Sequence, residues 1–249
     1  MGYRKFLLRT DTSDYRDKLY AVPSADVLER PLKVNLNELC GPVFNQLSLG
    51  SCTGNAWASM MYFVHKKMDP TWDQSFSRLF LYFGGREELG TIYEDSGAMI
   101  RDGAKWMAKY GVCPESMWPY DMKRFRDRPT LDCYKAAGNR RISEYSRITS
   151  LDGMISCLAE GYPFVFGMSI YESFMSEQTT KTGVVSLPKK GEQYLGGHAV
   201  LGVGCDLERQ EIIGRNSWGR QWGKQGTFTI PFTYLATPRL ADDFWTVRK

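Results

Sequence analysis

Gln46-Leu47-Ser48-Leu49-Gly50-Ser51-Cys52-Thr53 is the stretch on which the reading of this chain turns. Two small residues, Gly50 and Ser51, lead into a cysteine, and beyond it Ala56, Trp57, Ser59, Met60, Phe63 and Val64 recur at intervals of three and four, as a largely buried helix requires. Cys52 is therefore expected at a helix N-terminus. Free backbone N–H groups and the positive end of the helix dipole favour an anion there and lower a thiol's pKa. A thiol attacks as its thiolate, and a neighbouring imidazole can take its proton and later pass it to a leaving group. The chain has two histidines. His65 lies 13 residues after Cys52 on the same expected helix, more than three turns along the axis, so it reads as an ordinary helix residue and His198 is left as the base.

His198 belongs to Gly196-Gly197-His198-Ala199-Val200-Leu201-Gly202-Val203-Gly204, where it opens an apolar strand. The ring must be held in one tautomer, and a carboxamide oxygen accepting the proton of its other nitrogen does this; Asn216 is the candidate. Trp218 is placed to shield that hydrogen bond from water. Attack on a carbonyl also creates an oxyanion, which needs donors already in position. The side-chain amide of Gln46 and the backbone N–H of Cys52 are the candidates, while Gly50 and Ser51 let a substrate backbone come close to the thiol.

The pattern formed by Gln46, Cys52, His198 and Asn216-Ser217-Trp218-Gly219-Arg220-Gln221-Trp222-Gly223-Lys224-Gln225-Gly226 resembles the papain-like (C1) cysteine peptidases. That family places its His and Asn about 130 to 150 residues beyond the Cys. Here His198 follows Cys52 by 146 residues and Asn216 by 164. The resemblance covers most of residues 34–232. It implies an α+β, two-lobe papain-like fold, with a helical N-terminal lobe, an antiparallel β-barrel-like C-terminal lobe and the active site in the cleft between them. It also implies a cysteine-type endopeptidase, working through a thioester acyl-enzyme with a Cys52-His198-Asn216 triad and a Gln46 oxyanion hole. Ser96-Gly97, followed by Ala104, Gly111, Glu115 and Trp118-Pro119-Tyr120, is similar to the stretch that carries the family's substrate-pairing glycine. By that likeness Gly97 would hold an extended peptide by strand-like hydrogen bonds. Phe166, Gly167, Met168 and Gly197 would then line a side-chain pocket.

Three residues depart from the family pattern. Leu49 stands where a cysteine is usual three residues before the nucleophile, Thr53 replaces a Trp, and Gly197 replaces the Asp often found before the His. The resemblance is thus to bacterial, phage or viral members lacking a long propeptide.

Around this centre the chain divides in two. Residues 1–33 are polar, weakly periodic and broken by Pro23 and Pro31, an arm expected to pack near the cleft and inhibit it. Residues 34–249 form the peptidase domain, mainly helical over 34–135 and mainly β over 136–249. Helices are expected at 75–86, 97–110 and 151–160, and strands at 34–37, 142–148, 164–170, 198–205, 211–215 and 226–230.

Composition excludes other classes. At 249 residues, 43% hydrophobic and 24% charged, the chain is of ordinary globular make-up. Its net charge of +4, from 32 basic and 28 acidic residues, has no long one-sign run, so neither nucleic acid nor membrane is expected as a partner. The first twenty residues carry too many charges for a signal sequence or spanning helix, and Phe6 breaks the myristoylation pattern after Gly2. Six widely spaced cysteines without a CxxC pair predict a reduced, cytoplasmic protein, with signal-independent export and a disulfide or two left open. No metal-ligand spacing exists and no cofactor is implied. The expected partner is a polypeptide substrate. Two rivals keep the same site: a binding protein whose cleft is blocked, and a thioester-based acyl transferase.

Overall fold

The computed structural model describes residues 4–23 and 30–249, so Gly2 and parts of the expected arm lie outside the described residues. Helix α1 (Cys52–Met68) is buried on nearly every side, with Trp57, Ala58, Met60, Met61 and Phe63 out of contact with water. A helix apolar all round belongs in a core, and α2 (Arg78–Glu88) and α3 (Ile100–Lys109) pack around it. α2 starts later than its apolar pattern because Ser77 caps it, its hydroxyl accepting from Phe80 N at 3.0 Å. α3 starts later because Gly97 takes φ +71°, outside helical space. A fourth helix, α4 (Leu131–Gly138), follows Pro129 and was not anticipated.

The second half is built on antiparallel strands. In chain order they are β1 (Lys33–Asn35), β2 (Glu144–Ile148), β3 (Phe164–Tyr171), β4 (Tyr194–Asp206), β5 (Glu211–Arg215), β6 (Thr227–Pro231) and β7 (Ala241–Arg248). They form one sheet in the order β2-β7-β3-β4-β5-β6, with β1 also on β4. Helix α5 (Leu151–Ala159), capped by Ser150, lies between β2 and β3; two short helices, α6 (Glu177–Thr182) and α7 (Phe232–Ala236), complete the lobe. Two hydrophobic clusters result, one around α1–α3 and one around β3, β4 and β6. This is the expected α+β, two-lobe architecture. His198 lies on β4 opposite Met168 of β3. Cys52 begins α1 in the other lobe, so the interface between lobes brings them together.

The arm runs through that interface. Leu7 bridges Gly197 and Arg9 bridges Met99, both in parallel. Beyond them Leu19 bridges Arg147, and Tyr20 N donates to Arg147 O at 2.8 Å, covering the free edge of β2. Between these contacts the arm is pinned by charge. Asp11 accepts from Trp245 Nε1 at 2.7 Å, Arg147 Nη2 at 2.9 Å and Arg101 N at 3.1 Å, while its own N–H donates to Asp243 Oδ2 at 2.7 Å. Asp17 bridges Arg101 and Arg147 at 3.1 and 3.2 Å. Arg147 also reaches Asp243 at 3.0 Å.

Candidate active site

Cys52 is the first residue of α1, with Ser51 before it in a non-helical conformation, so the thiol lies at the helix's positive end. The backbone N–H groups of Ala199, Thr53 and Cys52 face the sulfur and favour the thiolate; complete burial outweighs them and pushes the thiol up to about 11. Because the Ala199 N–H reaches the sulfur, Cys52 abuts the residue that follows His198.

His198 Nε2 and Asn216 Oδ1 are 2.9 Å apart, and Asn216 Oδ1 also accepts from Ser217 N at 2.8 Å. A backbone N–H can only donate, so the atom facing it is the amide oxygen, and His198 must therefore donate from Nε2. Its Nδ1 is then the lone-pair nitrogen, and it is buried without a hydrogen-bond partner. Trp218 covers the pair, its ring 5.1 Å from the imidazole, and is itself packed against Phe174 and Trp222. Burial drives His198 down to about 4, with Arg4 of the arm acting in the same direction and the Asn216 bond against it. A neutral thiol beside a neutral imidazole is the protonation state of this geometry.

Gln46 is anchored at both ends of its amide. Oε1 accepts from Ser217 Oγ at 2.7 Å and Nε2 donates to Leu49 O at 3.0 Å, leaving the other N–H of that nitrogen uncommitted. Ser217 therefore ties the Gln46 amide in one lobe to Asn216, the hydrogen-bond partner of His198, in the other. Cys52, His198, Asn216 and Gln46 are all buried.

The arm occupies the groove over them. Phe6 packs edge-on to His198, centroids 6.3 Å apart, and against Trp218 at 5.9 Å; the Arg4 guanidinium stands 4.4 Å over the Trp218 ring. A β-carbon added to Gly97 would meet Leu7 O at 1.6 Å, and one added to Gly50 would meet Leu7 Cδ1 at 2.7 Å. Leu8 crosses Gly167 and Gly197 in the same way, and its N–H donates to Gly197 O at 3.1 Å. Arg9 donates from N to Ala98 O at 3.2 Å and from Nε to Ser96 O at 3.0 Å. Thus Gly50, Ser96, Gly97, Gly167, Gly197 and Trp218 all touch the arm. Ser51 does not: its hydroxyl turns inward to Tyr120 OH and Asn55 Nδ2.

Two details differ from the expected pocket. The Gly97 N–H is donated to Tyr82 OH at 3.1 Å, so pairing on this side of the groove runs through Ala98 O. Phe166 and Met168 face away into the β core, Phe166 stacking on Phe244 at 5.7 Å, because side chains alternate along a strand and Gly167 alone faces the groove. Two contributors, Tyr82 and Asp95, escaped the sequence reading, and Ser217 stands in the quoted pattern without a role. Asp95 had a local signal, an acid two residues before a candidate groove glycine.

His65, on α1, has Nδ1 2.9 Å from Met61 O and stacks between Trp72 and Phe76, an ordinary packed histidine. All six cysteines are unpaired and buried. Among the described residues no group of three His, Cys, Asp or Glu side chains is placed to hold a metal ion, and no helix is long and apolar enough to cross a membrane.

A model of the papain family of cysteine proteases matches residues 85–234, more than half of the chain. The matched span includes His198 and Asn216 and stops short of Cys52 and Gln46, whose placement rests on the geometry above. An uncharacterized peptidase C1-like protein of Acanthamoeba polyphaga mimivirus is 42% identical over 214 residues, covering 82% of this chain and 69% of that protein. Among solved structures, xylellain, a cysteine protease from Xylella fastidiosa, superimposes with a TM-score of 0.91 at 38% identity, covering 100% of this chain and 98% of that one. Digestive procathepsin L 3 of Tenebrio molitor larval midgut shares the fold, with a TM-score of 0.73 at 16% identity over 94% of this chain and 75% of that one.

Proposed function

The chain belongs to the papain family of cysteine proteases, and from that premise we propose that it is an endopeptidase whose groove is closed by its own residues 4–9. One observation carries the reading: an extended stretch of polypeptide already lies against Gly50 and the imidazole, beside Cys52, paired by its backbone to both lobes.

With that stretch displaced by a substrate, the steps follow from the site. His198 Nδ1 takes the Cys52 proton, and the thiolate attacks the scissile carbonyl. The oxyanion is received by the Cys52 N–H and the free N–H of Gln46, donors fixed beforehand by α1 and by Ser217. The tetrahedral adduct collapses as His198 delivers its proton to the leaving amine, and a thioester remains on Cys52. Water, deprotonated by His198, then releases the acid and restores the thiol. Asn216 holds the ring in the tautomer both halves need.

Closure by the arm also explains the resting charge state. It buries both groups and brings Arg4 near the imidazole, so it favours the neutral pair. Departure of the arm returns water and moves both pKa values toward the thiolate–imidazolium pair. Six unpaired cysteines support a reducing compartment.

The blocked groove is also what a binding protein that had lost the need to cleave would present, and one experiment separates the two. The full chain is incubated with a peptidyl epoxide that alkylates cysteine peptidases, and adducts are located by mass spectrometry. The expected result is a single adduct on Cys52, absent in His198→Ala and accelerated when Phe6 is truncated. No adduct on Cys52 between pH 5 and 9 would rule out the peptidase reading.

A further inference from the structure

Asp95 brings a carboxylate into the groove that no step of hydrolysis uses. Its two oxygens are treated differently. Oδ1 is saturated by the protein's own donors, Gly50 N at 3.0 Å and Tyr82 OH at 2.6 Å. Oδ2 has one strong partner, the ammonium of Lys5 at 2.6 Å, with Gly50 N more distant at 3.3 Å. The Asp95 side chain is 10% exposed and that of Lys5 39%. The acid is therefore a fixed part of the groove and the amine is a visitor, carried in by the same stretch that covers the thiol.

The position is close to the chemistry. Gly50, which holds Asp95, stands two residues before the nucleophile and lies under Leu7. Tyr82 links Asp95 to the Gly97 N–H, so the carboxylate is held by the two glycines that border the groove. Its charge reaches the thiol, where it opposes the thiolate. When the arm leaves, Asp95 is left in a nearly buried setting with Oδ2 held only by the distant, shared Gly50 N–H, a costly state for a carboxylate. A basic side chain arriving with the substrate restores the lost bond and cancels the field that works against the thiolate. A neutral side chain does neither, and an acidic one adds repulsion. Outward from Lys5 a depression of about 550 Å³, lined by Leu49, Glu94, Met122 and Arg126, leaves room for a longer side chain; the charges of Glu94 and Arg126 offset one another there.

We propose that Asp95 is a specificity-determining residue, whose Oδ2 receives the lysine or arginine side chain of a peptide substrate in the place now filled by Lys5. The proposal rests on the peptidase reading above and names its substrate class.

The test uses the full chain and a set of short peptidyl acyloxymethyl ketones that alkylate Cys52. They differ only in bearing Lys, Arg, norleucine or Glu at the residue next to the reactive carbon, or at the one before it. Second-order rates of Cys52 labelling are read by mass spectrometry. At one of the two positions Lys and Arg are expected to react at least about tenfold faster than norleucine, with Glu slowest, the size of a charge-assisted hydrogen bond. In Asp95→Asn the Lys-to-norleucine ratio is expected to fall to within about twofold. That variant also loosens the arm, but arm release precedes reaction with every reagent alike and cancels in the ratio. Equal rates for Lys and norleucine at both positions in the unaltered chain overturn the proposal, whatever the variant does, and so does a preference that survives Asp95→Asn. If no reagent of the set labels Cys52, the peptidase reading falls and this inference with it; equal labelling removes this inference alone.

Discussion

The two halves of the arm hold to the same body by different physics. Residues 4–9 lie in the groove through two backbone hydrogen bonds, a half-exposed Lys5–Asp95 pair and the packing of partly buried side chains. Residues 11–20 are anchored by charge out of water. The Asp11 side chain is fully enclosed, and with Asp17 and Asp243 it surrounds the guanidiniums of Arg147 and Arg101. The backbone bonds of the first half are ones that any extended peptide can make, and its side chains lie singly against the groove, so a substrate can take their places. The second half is held by several enclosed ion pairs at once, around Asp11 and Asp17, a set that a short peptide in the groove does not replace. On the proposed closure, opening is a local event in which residues 4–9 peel away while 11–20 remain, the kind of sub-global opening that draws on the weakly held parts of a fold.

The comparison breaks most severely at Arg147. Replacing it with Met leaves Asp11, Asp17 and Asp243 facing one guanidinium, and unpairing a buried ion costs about 3–5 kcal/mol. Thermal denaturation is expected to fall by roughly 10 °C, as about 2–4 °C per kcal/mol applies at this chain length. A change below 2 °C would show that the anchor is not part of the fold.

The second expectation concerns pH. Burial and the nearby Asp243 raise Asp11 from 3.8 to about 7, while Trp245, Arg101 and Arg147 pull it down. Three carboxylates around two guanidiniums leave one negative charge in excess, which a proton relieves. Because the folded value lies above the unfolded one, the contribution is full below about pH 4 and is lost as pH rises through about 7. In Asp11→Asn the proton is replaced by a permanent neutral group. Melting curves at pH 4 to 8 should show the unaltered chain losing stability relative to this variant as pH rises; parallel curves contradict the assignment.

Phe6→Ala acts on the exchangeable half. It uncovers His198 and Trp218, and loss of a partly buried aromatic side chain of this size should raise the rate of Cys52 alkylation about tenfold. The melting temperature should change by no more than a few degrees, since the anchor is untouched. A fall as large as that from Arg147→Met would erase the distinction between the halves. Lys5→Ala is the smallest step. A partly exposed ion pair contributes about 0.2–1 kcal/mol, so labelling by a neutral reagent should rise by at most about fivefold.

Much of this was legible in the chain because its signals are local. The three-and-four spacing from Ala56 to Val64 located α1, the family pattern around Cys52, His198 and Asn216 located the lobes, and Gly97 and Gly197 pointed to the groove. What escaped depends on partners remote in sequence. Strand β7 contains Asp242 and Asp243, which break its alternation, and Asp243 is tolerated inside only because Arg147 and the Asp11 N–H reach it from far along the chain. Residues 4–20 lack periodicity because they pair through their backbone at Leu8, Arg9 and Tyr20 and through single charges at Asp11 and Asp17, and neither asks for a regular alternation of side chains. The place of Asp95 two residues before Gly97 hinted at the groove, but the convergence of Tyr82, Gly50 and Lys5 on it is tertiary.

The short join between Arg9, bonded to Ala98, and Asp11, bonded to Arg101 and Trp245, has a kinetic consequence. Under the proposed closure it makes residues 4–9 a tethered competitor, whose effective concentration at the groove is on the order of millimolar and does not change on dilution. A free peptide at micromolar level competes against that constant background, and its apparent KM is the intrinsic one divided by the fraction of molecules open at any instant. On that reading turnover at a given peptide level is set by how firmly six residues lie down, and the restraint is the same at every protein concentration.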